Sequence, residues 1–136
     1  MITLIYGAKG SGKTKKIIDA CNADALTTNG NVVFLTDTNR YMYELKPNVR
    51  FVNVDEFEIQ TELGLLGFIR GMVAGNADIS TIYVDGAHRM ANRDILDMTW
   101  FYKKLEALSE NSGTKFVLTV SCAEENLPDY LKEYIK

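Results

Sequence analysis

Residues 7–14 read Gly7-Ala8-Lys9-Gly10-Ser11-Gly12-Lys13-Thr14, the spelling G-x-x-x-x-G-K-[ST], with the apolar run Ile2-Thr3-Leu4-Ile5-Tyr6 before it and a helical pattern after it. A strand, a glycine-rich turn and a helix in that order constrain the chain strongly, because the next strand must return parallel to the first beneath the helix. The chemistry also asks for these residues in this order. The glycines let the backbone curl until successive N–H groups converge on phosphate oxygens, and the helix behind adds its partial positive charge. Lys13 then reaches toward β- and γ-phosphates, and Thr14 places its hydroxyl on a magnesium ion. A bare chain-reversing turn requires glycine but does not require Lys-Thr after its last glycine.

Period and punctuation extend this start into an alternating β/α chain. Strands are expected at residues 2–6, 32–36, 49–54, 79–84 and 115–120, with helices over about 13–26, 60–75 and 93–110 and a final short one from about 128. The class is therefore α/β: a doubly wound, mainly parallel sheet in three layers, α/β/α. At 136 residues it makes one domain, residues 1–136, with one good core and no room for a separate substrate domain. On the first helix Ile17, Ala20, Cys21, Asp24 and Ala25 recur at helical spacing and face the sheet. Gly67, Gly71 and Gly75 lie four apart on the second, a stripe suited to tight packing on the sheet or another subunit, or to a hinge. At the carboxyl end, Leu127, Leu131 and Tyr134 form an apolar face that closes the core.

Composition narrows the function. Apolar residues at 46% and charged residues at 24% are an ordinary globular mixture. A net charge of −3 leaves no excess of positive charge for a run of nucleic-acid phosphates. Lys15 and Lys16 read as solvated. Cys21 and Cys122 have neither zinc-ligand nor disulfide spacing and read as reduced thiols. The opening residues lack the features of a secretory signal, and the apolar run over residues 63–75 is broken by Arg70 and too short to span a bilayer. A cytoplasmic location away from membranes is expected.

A phosphate loop needs an acidic partner at the end of another strand to hold the magnesium shell. Thr81-Ile82-Tyr83-Val84 runs straight into Asp85, which takes that role. Asp55-Glu56 is the runner-up, with Asp55 suited rather to capping the segment after it, and Asp37 reads as a turn or supporting residue. The residue after Asp85 is Gly86, where many ATP-hydrolysing proteins carry a water-activating glutamate. Asp85-Gly86-Ala87-His88 thus resembles the D-E-A-H box of helicase-like ATPases without its glutamate, and His88 reads as a turn histidine or a γ-phosphate sensor. Thr119 and Ser121 bring hydroxyls to the carboxyl end of the last strand, either toward the γ-phosphate or to satisfy nearby backbone. Arg70, Arg89 and Arg93 are surface arginines or candidates for a charge supplied to a neighbouring subunit's phosphate.

On these motifs the chain resembles the P-loop NTPases of the additional-strand class. More narrowly, it resembles short bacterial P-loop proteins sometimes grouped with twitching-motility ATPases, in stretches such as Val32-Val33-Phe34-Leu35, Arg50-Phe51-Val52-Asn53 and Ile82-Tyr83-Val84-Asp85-Gly86. It lacks the second domain and the further acidic and histidine boxes of those motors, so no motor function is implied. The resemblance implies the P-loop fold, with Gly7, Lys9, Gly10, Ser11, Gly12, Lys13 and Thr14 holding ATP, Thr14 and Asp85 holding Mg²⁺, and Lys13 and Asp85 as the catalytic pair. ATP is preferred because the guanine-reading N-K-x-D signal is missing. The expected activity is nucleotide binding with slow or partner-dependent hydrolysis, as in a regulator or assembly factor working with a protein partner or a second copy. A small-molecule kinase and a loop kept only as scaffold are the alternatives.

Overall fold

A computed structural model describes residues 1–135. Five strands form one parallel sheet in the order β1-β5-β4-β2-β3: β1 is Ile2–Gly7, β2 Asn31–Thr36, β3 Val49–Asn53, β4 Ile79–Val84 and β5 Lys115–Ser121. Central strands in such a sheet are covered on both faces and read as continuous apolar runs, as Val32-Val33-Phe34-Leu35 and Ile82-Tyr83-Val84 do. Helix α1 (Lys13–Thr27) covers one face, where Ile17, Ile18, Cys21 and Ala25 meet Val32, Phe34 and Tyr83. Cys21, fully enclosed there, has its thiol pushed up to about 12, first by burial and then by Asp24. The other face carries α2 (Glu62–Gly75), the short α3 (Ala87–Ala91), α4 (Thr99–Ser112) and α5 (Asp129–Lys132) over a larger core that includes Leu65, Ile69, Phe101 and Phe116. Leu127, Leu131 and Tyr134 join that core, as the carboxyl-terminal apolar face predicts.

Side-chain alternation along the strands sets up the polar end of the α1 face. Phe34, Tyr83 and Val117 pack toward α1, so Thr36, Asp85 and Thr119, two residues further on, fall on the same face at the strands' carboxyl ends. All three are buried. This is the end at which the chain emerging from β1 turns into α1.

Three expectations are corrected. The helix expected over about 93–110 starts at Thr99, and residues 87–98 hold α3 and a 3-10 turn over Ile95–Asp97. Asn92 ends α3 in the left-handed region with φ 53°, and the Asp94 side chain accepts from the Leu96 N–H to begin the next turn. Both devices stop the helical path while the apolar spacing continues through it. Asp55 does not cap: Asn53 does, its side chain accepting from the Asp55 N–H. The glycine stripe of α2 is not packed on the sheet, since nothing lies within 4 Å of a Cβ placed at Gly67, Gly71 or Gly75.

An unpacked stripe has an energetic consequence. Glycine inside a helix costs about 1 kcal/mol relative to alanine, and here no close approach offsets it. Gly67→Ala and Gly71→Ala will each stabilise the isolated chain by roughly 0.5–1 kcal/mol, seen as a higher midpoint in urea unfolding at unchanged slope. A destabilisation by either would mean that another surface packs against the stripe in solution.

Candidate functional site

The turn from β1 into α1 is built by its glycines. Gly10 and Gly12 sit in the left-handed region with φ of 83° and 87°, and Gly12 occupies the N-cap position of α1. A Cβ at Gly7 would lie 2.5 Å from the Ser11 Oγ, so a side chain there would drive that hydroxyl from its present position. The Ser11 N–H donates to the Ala8 carbonyl at 3.1 Å and completes the curl. The first turn of α1 has no side-chain cap and no acidic residue, which leaves the orphan N–H groups of the helix start without a side-chain partner. Lys9, Gly10, Gly12, Lys13 and Thr14 line a cavity of about 370 Å³ in front of that turn.

Lys13 lies back across the loop, its Nζ donating to the Ala8 carbonyl at 3.0 Å, and only 9% of the residue is exposed. Burial draws its pKa below the ordinary lysine value; Asp85 opposes that shift and Arg89 adds to it. A cation held in this way is incompletely satisfied, with one acceptor for three donors.

Asp85 follows β4 directly and is 3% exposed. Its Oδ2 accepts from the Thr14 hydroxyl at 3.1 Å and its Oδ1 from the Thr119 hydroxyl at 2.8 Å. Thr119 also accepts from the Gly86 N–H at 3.0 Å, so one hydroxyl fixes both the carboxylate and the backbone behind it. Thr119, left open in the sequence between phosphate and backbone, is occupied with Asp85 and Gly86, while Ser121 lines the cavity. The hydroxyl of Thr36, next in β2 after the residue paired with Val84, is buried with no protein partner.

Arg89 is exposed, as a surface arginine is expected to be, yet it also lines the same cavity, with Nε and Nη2 donating to the two Asp37 carboxylate oxygens at 3.0 and 3.2 Å and Nη2 also reaching the Asp85 carbonyl at 3.2 Å. The usable signal was the spacing: four residues beyond Asp85, on one short helical turn, a long side chain can fold back over Gly86. Arg70 and Arg93 are exposed elsewhere, Arg93 donating to the Asp97 carbonyl. His88 is half-buried on α3, and burial, then Arg89, lowers its pKa below the ordinary histidine value. Asp55 and Glu56 lie beyond the edge strand β3, and neither lines the cavity; Glu56 accepts from Asn39.

A larger groove of about 490 Å³ runs between α2 and strands β2 and β3, lined largely by apolar groups such as Phe57, Phe68 and Met72. It is bigger, but it gathers few convergent polar groups. The loop cavity brings together two lysines, an arginine, a carboxylate and three hydroxyl groups, which makes it the better site for a charged ligand.

No protein-family model and no curated protein matches the chain. The functional reading therefore rests on the residues of this cavity. Among the described residues, no three His, Cys, Asp or Glu side chains are grouped so as to hold a metal ion unaided. None of the described helices is long and apolar enough to cross a membrane.

Proposed function

We propose that the chain is a P-loop nucleotide-binding domain of the additional-strand class, cytosolic, which binds ATP with Mg²⁺ and hydrolyses it slowly or only with a partner. One observation carries the reading. Thr14 and Asp85, 71 positions apart, meet at 3.1 Å beside the glycine loop, as a shared metal site requires. The sheet order supports it as well, since β5 stands between the loop strand β1 and the Asp85 strand β4.

The donor set suits Mg²⁺, which keeps several waters and takes only one or two protein oxygens beside those of a bound phosphate. The Thr14 hydroxyl and the Asp85 carboxylate would hold it, and the orphaned Thr36 hydroxyl suits an ordered water near Asp85. When bound, the ion would neutralise charge on the β- and γ-phosphates. The N–H groups of residues 9–14 would hold the phosphates themselves, and Lys13 would exchange the Ala8 carbonyl for phosphate oxygens. Thr119 keeps Asp85 from turning away.

Slow turnover is the consequence of Gly86. The position that would carry a water-activating carboxylate has no side chain, and a cation lies against it instead. Such a domain is suited to a nucleotide-dependent regulator or assembly factor whose partner or second copy completes the site.

Thermal unfolding with ATP, ADP and GTP, each with and without Mg²⁺, tests this. ATP with Mg²⁺ at about one hundred times its dissociation constant will add roughly 2.7 kcal/mol, or about 10 °C in Tm for a domain of this size. No shift with any nucleotide would leave the loop as scaffold. Transfer of the γ-phosphate to a metabolite would move the reading to a kinase.

A further inference from the structure

Gly86 adopts φ 92°, and a Cβ built on it would lie 2.2 Å from the Arg89 Nη2 and 2.3 Å from its Cζ. The guanidinium thus fills the space a side chain at position 86 would use. It is fixed there by the Asp37 carboxylate and the Asp85 carbonyl, and it lines the cavity that Lys13 also lines. A planar fork bound side-on to one oxyanion can rebind to another of like geometry, and phosphate is such an oxyanion.

Resting on the nucleotide reading above, we propose that Arg89 is a γ-phosphate ligand supplied from within the chain, and that Asp37 holds it in reserve until a triphosphate arrives. The site would thereby tell ATP from ADP. With ADP, Lys13 and the loop amides meet the last phosphate, no oxyanion reaches Arg89, and the pair with Asp37 stays closed. With ATP, the terminal phosphate competes with Asp37 for the same two N–H donors. The pair is the right kind of competitor. It is exposed enough to open, with side chains 45% and 23% accessible, and its strength in that setting is modest.

Two substitutions break the same ion pair, and the proposal gives them opposite effects. Arg89→Ala removes the ligand, so affinity for the non-hydrolysable triphosphate AMP-PNP with Mg²⁺ falls about tenfold or more while affinity for ADP holds. Asp37→Asn removes the competitor, so AMP-PNP binds several-fold more tightly and ADP again holds. An ion pair that only braces α3 would move both variants in one direction and both nucleotides alike. Calorimetric titration of the native chain and the two variants with AMP-PNP and ADP decides between these. Parallel changes in the variants, or no change in the ratio of the two affinities, would overturn the proposal. A native chain that binds neither nucleotide would instead overturn the nucleotide reading, and this inference with it.

Discussion

On the nucleotide reading proposed above, Lys13→Ala will cut the nucleotide-dependent rise in Tm to about a seventh while leaving the ligand-free protein folded and about as stable. Both halves come from where the ammonium sits. In the free protein it is largely buried with a single carbonyl acceptor at 3.0 Å, and burial already lowers its pKa. Removing it forfeits one hydrogen bond but also relieves a desolvated charge, so the net change is within about 1 kcal/mol. Bound phosphate reverses that balance. Truncating one partner of a close, desolvated charge pair costs about 2–5 kcal/mol, so affinity drops by roughly two orders of magnitude. At a concentration that gave the native chain about 2.7 kcal/mol, the variant would retain only about 0.4 kcal/mol. A calorimetric scan of both chains with and without ATP and Mg²⁺ measures this directly. An equal nucleotide shift in the two would remove the loop from any role in binding.

The parts of this site legible in the sequence are those whose chemistry is local. The loop spelling, the strand leading into Asp85 and the apolar face of α1 each occupy consecutive or helically spaced residues, and the structure brings Lys13, Thr14 and Asp85 to one cavity. What escaped depends on side chains returning across space. The Asp37 and Arg89 pair joins the ends of two strands whose adjacency is a matter of sheet order, and neither residue has a local mark of it. The start of α4 escaped for a different reason. Ile95 and Met98 keep the apolar rhythm through a segment that Asn92 and Asp94 have already turned aside, so period and capping disagreed and capping decided. In α2, glycines at helical spacing suggested close packing that the neighbouring elements do not supply.

Those local and long-range parts meet at Thr119, which gives the second large effect. Thr119→Val keeps the side chain's shape and its methyl contacts but removes a hydroxyl from a residue only 3% exposed. That hydroxyl donates to the Asp85 Oδ1 and accepts from the Gly86 N–H, so its loss leaves a buried carboxylate oxygen and a buried amide both short of a partner. A hydrogen bond to a charged group contributes about 1.5–3 kcal/mol and an orphaned amide costs about 1–3 kcal/mol, so the variant loses roughly 2.5–6 kcal/mol. Against a total stability of about 5–15 kcal/mol this is a large fraction. Thr119→Ser retains both hydrogen bonds and gives up only a methyl group, at about 1 kcal/mol. Urea unfolding of the two variants separates hydroxyl from methyl, and equal losses would mean that the hydroxyl carries no net stability. The site should register the same change. With only Thr14 left to orient it, the Asp85 carboxylate is free to rotate, so the Mg²⁺ dependence of nucleotide binding should weaken in the valine variant and persist in the serine one.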